Sequence, residues 1–124
     1  FKNFSPIELL KLMRISKWEI AEKDEILAKE DQALSKIMLI YSGYTSVTVD
    51  NKEVTKLKDG DFIGEMSFIN DSQASATVTS IQKTKYLSWT KLDLKMLMER
   101  NPNIKFSMQN VISSELSKKL RKNN

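Results

Sequence analysis

Asp59-Gly60-Asp61-Phe62-Ile63-Gly64-Glu65-Met66-Ser67-Phe68-Ile69-Asn70-Asp71-Ser72-Gln73-Ala74-Ser75-Ala76-Thr77-Val78-Thr79-Ser80 is the most informative stretch of this 124-residue chain. Its Asp-Gly-Asp opening is a turn, Phe62-Ile63 is an apolar pair, and Gly64-Glu65 starts a very short helical turn. A polar loop follows, and an alternating strand begins near Ser75. This order of elements suits an anion cradle. Gly64 lets the backbone approach a ligand, the turn after it aims N–H groups at one point, and Ser67, Ser75 and Thr77 offer hydroxyls.

On both sides of this stretch the apolar residues alternate. Upstream, Trp18 and Ile20, then Ile26-Leu27-Ala28, Ile37-Met38-Leu39-Ile40-Tyr41, Val47, Val49, Val54 and Leu57 form short runs with turn signals between them. Downstream, Ala76, Val78 and Ile81 precede Tyr86, Leu87 and Trp89. About eight short strands at this spacing predict a sandwich, roll or barrel. Asp50-Asn51-Lys52 between two valine-rich runs is a hairpin turn, and Ser42-Gly43-Tyr44 is a second bend. Trp18 and Trp89 read as core or rim aromatics, and the six methionines as core filler.

Helical spacing frames the strands. Ser5-Pro6-Ile7-Glu8 is a capping box with proline at the first helical position, and the helix it starts ends near Ser16. After Thr90, with Asp93 as part of a cap, Leu92, Met96 and Leu97 share a helix face, and Asn101-Pro102 breaks that helix. Ile104, Met108, Val111, Ile112, Leu116 and Leu120 then mark an amphipathic helix of about four to five turns. The expected architecture is mainly β with flanking helices: an antiparallel, jelly-roll-like double-stranded β-roll, one N-terminal helix and two C-terminal helices. That last apolar face needs cover, either on the roll or on a second copy, so a homodimer through the C-terminal helix is one expectation.

Composition narrows the function. The chain has no cysteine and no histidine, so thiolate zinc sites, disulfides, Ser-His-Asp triads and Cys-His dyads are excluded within it. No Asp/Glu spacing resembles a calcium loop, and we expect neither a metal nor a catalytic residue. Lys118, Lys119, Arg121 and Lys122 supply much of the net charge of +4, at a helix end whose dipole they complement. No aromatic residues interleave with them, which disfavours a single-strand stacking platform. No apolar run approaches the length of a membrane helix. The first residue is Phe, so the expectation is one domain, residues 1–124, cut from a longer cytoplasmic protein that touches a membrane only through an anchor elsewhere.

The Gly64-Glu65 cassette resembles the phosphate-binding cassette of cyclic nucleotide-binding domains, the family of cyclic AMP-binding regulators and kinase regulatory subunits. The resemblance extends along nearly the whole chain. Phe4-Ser5-Pro6-Ile7-Glu8-Leu9 is similar to the family's opening helix, Glu25-Ile26-Leu27-Ala28-Lys29-Glu30-Asp31 to its second and third strands, and Ile37–Gly43 to its next strand-turn motif. Asp24 and Asp31 stand where glycines are usual, and aspartate tolerates left-handed turns. From Tyr86-Leu87-Ser88-Trp89 to Leu120 the chain also resembles the Popeye branch, whose cassette carries an Asp-Ser-Pro-Glu stretch that is not present here.

The resemblance implies a non-enzymatic sensor whose ligand is cyclic AMP or cyclic GMP. Its binding frame would be Ile63, Gly64, Glu65, Met66, Ser67, Ala74, Ser75 and Ala76. In the family the glutamate takes the ribose 2′-hydroxyl, and an Arg-(Ser/Ala)-Ala tripeptide supplies the guanidinium that pairs with the phosphate. Here the tripeptide is Ala74-Ser75-Ala76, so Ala74 stands in the arginine's place. Losing one partner of a buried charged pair costs roughly 2–5 kcal/mol, about 30-fold to several thousand-fold in affinity. The expectation is weak binding, unless Lys56, Lys58 or the C-terminal helix provides another cation. The alternative is an interaction or dimerisation domain of the same fold that binds no nucleotide. DNA contact is not expected, because the helix-turn-helix of the family's regulators would lie beyond Asn124.

Overall fold

The computed structural model describes residues 4–122, with side chains for residues 4–113. The chain forms two compact units, residues 17–91 and residues 1–16 with 92–124. The unit 17–91 is the β-roll. Its strands are β1 (Lys17–Ala21), β2 (Ile26–Ala28), β3 (Lys36–Ser42), β4 (Tyr44–Val49), β5 (Lys52–Lys58), β6 (Phe62–Ile63), β7 (Thr77–Ser80) and β8 (Thr84–Thr90), with helix α2 (Glu65–Asn70) between β6 and β7. They form two four-stranded sheets in the orders β1-β8-β3-β6 and β2-β7-β4-β5. Every pairing is antiparallel.

The reason for strands here is the period of two. Met38 and Ile40 of β3, Val47 of β4, Leu57 of β5, Ile63 of β6, Val78 of β7 and Tyr86 of β8 each send one side chain into a shared core, closed by Ala21, Leu27, Ala28 and Ala74. Asp50 and Asn51 both take positive φ, 52° and 67°, as a two-residue hairpin turn requires. Asp24 and Asp31, at φ 71° and 63°, adopt the left-handed turns expected of them. Gly43 lies where the chain leaves the first sheet for the second. A β-carbon there would meet Thr84 at 2.4 Å from its side chain and 2.7 Å from its backbone, so only glycine lets the two segments approach so closely.

The helical unit contains α1 (Pro6–Ile15), most of α3 (Lys91–Arg100) and α4 (Pro102–Lys122). The capping box of α1 closes in both directions: Ser5 N–H donates to Glu8 Oε1 at 2.8 Å and Glu8 N–H to Ser5 Oγ at 3.2 Å. Asn101 separates α3 from α4, its side-chain amide donating to Leu97 O at 2.9 Å. The α4 helix runs longer than its apolar periodicity predicts, because Pro102 sits at the first helical position, where its missing N–H costs nothing. Ile104, Met108 and Ile112 are buried in the single chain, Val111 is half-buried, and the Leu116 and Leu120 side chains lie outside the described residues. The four basic residues from Lys118 to Lys122 lie outside the described side chains as well. Met38, Met98 and Met108 are core filler as expected, whereas Met13, Met66 and Met96 are exposed.

Candidate functional site

The turn before the cassette is fixed by its own aspartates. Asp59 Oδ1 accepts from Gly43 N–H at 3.0 Å, and Asp61 Oδ2 accepts from Lys58 N–H at 2.9 Å. Gly60 N–H donates to Ile40 O at 2.8 Å, and Ile40 N–H to Asp61 O at 3.0 Å. With the turn tied to β3, Phe62 and Ile63 pair with Leu39 and Met38, and Gly64 emerges at φ 91° as the N-cap of α2. The first hydrogen bond of α2 is Phe68 N–H to Gly64 O at 3.0 Å, so the Glu65, Met66 and Ser67 amides fall in the turn that a helix leaves outside its own ladder.

Gly64 is constrained by packing as well as by φ. A β-carbon on it would fall 2.6 Å from Leu34 Cδ2 and 3.2 Å from the Lys36 carbonyl oxygen. The space beside the glycine is therefore taken by Leu34 and by the first residue of β3. Glu65 is buried at 3% exposure, and Met66 is exposed.

Of the three hydroxyls that could serve either a ligand or the chain's own groups, two are engaged within the chain. Ser67 Oγ donates to Ser72 O and accepts from Lys91 Nζ at 2.6 Å. The same ammonium reaches Ser67 O at 3.2 Å, while Lys91 N–H donates to Ser35 O at 2.9 Å. Thr77 Oγ1 accepts from Glu30 N–H at 3.0 Å. Ser75 is exposed.

Ala74 is 5% exposed and belongs to the core of the roll, with half-buried Ala76 packed against that core. Its backbone is paired on both sides: Asp31 N–H donates to Ala74 O and Ala74 N–H to Gln32 O, each at 2.9 Å. The eight candidate residues fall in two groups, 63–67 at the end of β6 and the start of α2, and 74–76 just before β7. Sequence reasoning missed Leu34 and the Asp31-Gln32 segment that bracket them. Among the described residues, Lys91, the first residue of α3, brings its ammonium to this loop and donates to Ser67. Lys56 lies instead beside Glu53, at 4.0 Å, and over the Tyr44 ring.

A second polar group sits on the core side of the first sheet. Lys36 Nζ donates to Glu19 Oε2 at 2.8 Å and lies 5.7 Å from the centre of the Tyr86 ring. The hydrogen bond from Lys36, aided by one from Ser88, holds the Glu19 carboxyl below its usual range. Burial pulls the Lys36 ammonium down, but the bond to Glu19 and the Tyr86 hydroxyl outweigh it and leave the pKa raised. Burial pushes the Tyr86 hydroxyl up. Among the described residues no group of His, Cys, Asp or Glu could hold a metal ion.

A left-handed glycine, a buried glutamate and a six-residue helix thus stand between β6 and β7 of an antiparallel β-roll. The chain belongs to the cyclic nucleotide-binding domain family, whose pattern matches residues 18–101. It is similar to the Pycsar effector protein PaPycTIR of Pseudomonas aeruginosa, 28% identical over 76% of this chain and 31% of that protein. It is 35% identical to a cAMP-dependent protein kinase regulatory subunit of Debaryomyces hansenii, over 64% of this chain and 18% of that protein. The structure of a cyclic nucleotide-binding domain from Methylobacillus flagellatus shares its fold, with a TM-score of 0.90 at 23% identity over 97% of this chain and 70% of that one. The chain spans less than a third of the length of the curated relatives it matches.

Proposed function

We propose that residues 1–124 act as one regulatory module of a cytoplasmic, cyclic nucleotide-responsive protein, and that the module binds cyclic AMP or cyclic GMP only weakly. The observation that carries this reading is Ala74, which is buried in the core of the roll and which the resemblance of the cassette puts in the place of the family's arginine. Without that charge, main-chain dipoles alone must offset the desolvation of a phosphate. The family membership and the cAMP-dependent kinase subunit among the relatives support the choice of ligand. The module performs no chemistry of its own and touches no DNA; any membrane attachment belongs to another part of its parent protein.

A second reading is favoured by the internal contacts of the cassette. With Leu34 filling the space beside Gly64 and Lys91 seated on Ser67, the fold serves as an interaction or dimerisation domain with no nucleotide at all.

Calorimetric titration with cyclic AMP and cyclic GMP separates the two. The first reading expects wild-type dissociation constants above roughly 100 μM. It expects Ala74→Arg to tighten binding by about 30-fold or more, and Glu65→Ala in that background to weaken it again. Tight wild-type binding overturns the weak-ligand reading. An Ala74→Arg protein that is folded by circular dichroism and binds neither nucleotide selects the interaction domain.

A further inference from the structure

The two sheets of the roll have four edge strands: β1, β6, β2 and β5. An open edge offers unpaired N–H and C=O groups to any passing strand, and folded proteins blunt such edges by shortness or charge. Three of the four are blunted. β6 and β2 have only two and three residues, and β5 carries the exposed lysines Lys52, Lys56 and Lys58. β1 is different. It has five residues, Lys-Trp-Glu-Ile-Ala, and among the described residues it pairs with β8 alone.

The outward residues of β1 are apolar. Trp18 and Ile20 are 49% and 52% exposed. The Trp18 ring meets Tyr41 edge-on at 5.3 Å, and Lys85 Nζ lies 4.7 Å from its centre. A half-exposed tryptophan offers a large apolar surface to bury, which suits it to anchor an interface. The inward face carries Lys17, Glu19 and Ala21, opposite Ser88, Tyr86 and Thr84 of β8.

This strand is complementary to itself. Antiparallel pairing of two copies about Glu19 sets Trp18 opposite Ile20 twice on the outward face, the aromatic–β-branched pairing that stabilises sheets. On the inward face it sets Lys17 opposite Ala21, with Lys17 diagonal to the other copy's Glu19. Two carboxylates meet at the centre, but each already holds Lys36, and each gains a second copy's Lys17. No other occupant is needed to balance these charges. We infer that β1 is a homodimerisation edge, at which two copies of this chain join their β1-β8-β3-β6 sheets across a two-fold axis centred on Glu19. The dimer is isologous, as two-fold interfaces are, and it forms whether or not the cassette binds a nucleotide. The paired area is small, so association is weak and concentration-dependent.

The chain has no cysteine, which makes a disulfide test specific. Residues facing each other across an antiparallel pair have Cα atoms about 4.5–5.5 Å apart, within the reach of a disulfide. Glu19→Cys is expected to give a covalent dimer under mild oxidation, and Lys52→Cys on the β5 edge to remain monomeric. By analytical ultracentrifugation, the wild-type chain is expected to shift from monomer towards dimer between tens and hundreds of micromolar, on the order of weak interfaces. Ile20→Lys, a substitution at an exposed position, is expected to stay monomeric throughout. A wild-type chain that is monomeric over the whole range overturns the inference. So does a dimer that persists in Ile20→Lys, or a Glu19→Cys protein that cross-links no faster than Lys52→Cys; each would place any association elsewhere, such as the α4 helix.

Discussion

Gly64 is under two independent demands. Its φ of 91° puts it in the left-handed region, where an L side chain costs roughly 1–2 kcal/mol. Its missing β-carbon would overlap Leu34, adding about 1–3 kcal/mol of overpacking unless the leucine moves. Gly64→Ala is therefore expected to lower unfolding free energy by at least ~2 kcal/mol in urea denaturation. The two demands come apart in a double-mutant cycle with Leu34→Ala. On that background the cost of Gly64→Ala is expected to fall by about 1 kcal/mol or more, because only the backbone strain remains. A cycle with no coupling would show that Leu34 does not constrain the glycine. Glycine beside glutamate was legible in the sequence. Leu34 was not, because it lies thirty positions upstream and nothing in its neighbourhood marks a long-range contact.

Among the elements, the first sheet carries an ion pair that spans a strand. Glu19 of β1 and Lys36 of β3 reach each other across β8, which lies between them. Glu19 is lowered from 4.5, so its share of stability is complete above that value and is lost as the pH falls through the lower folded value. Lys36 is raised from 10.5, so its share is present below that value and is lost only as the pH rises through the higher folded one. The pair therefore stabilises the roll across the whole neutral range. Both side chains are about a third exposed, which limits the effect to something under about 1 kcal/mol. Lys36→Met is expected to destabilise slightly at pH 7, and the difference from wild type to shrink as the pH falls below 4.5 and through the lowered Glu19 value, compared by urea midpoints across that range. A difference that persists unchanged across that range would assign the effect to lost packing of the lysine stem rather than to charge. At the same scale the elements themselves were readable. Ser5 and Glu8 announced α1, and the alternation of Met38, Ile40 and their counterparts announced the strands, because local periodicity decides which face of each element is buried. The boundary of β7 was not: it starts at Thr77 rather than near Ser75, because Ala74 is drawn into pairing with Asp31 and Gln32 instead.

In the molecule as a whole, Lys91 shows what tertiary structure adds. Its ammonium seals the carbonyl end of α2 and the Ser67 hydroxyl, and its amide ties the same residue to Ser35. Hydrogen bonds from a charged donor are worth roughly 1.5–3 kcal/mol each when partly buried. Lys91→Met is expected to cost on that order and to loosen the loop that follows α2. Hydrogen exchange is expected to show lower protection at Asp71 and Ser72, whose amides also bond to Ser67 O. Unchanged protection there would reduce Lys91 to a surface contact.

The sequence by itself determined the order helix, strands, helix, helix, the short helix between the sixth and seventh strands, and the alanine at position 74 on which the weak-binding proposal rests. Each of these rests on local spacing or on the identity of single residues, which a linear chain displays directly. Tertiary structure alone decided how the cassette is enclosed. Leu34, the Asp31-Gln32 segment and Lys91 reach it from parts of the chain far away in sequence, and the hydroxyls of Ser67 and Thr77 are satisfied by those neighbours and their own loop. Tertiary structure also left β1 as the one long edge without a charged outward face. Which strand ends a sheet follows from the pairing of all the others, and that pairing is a long-range choice with no local signature.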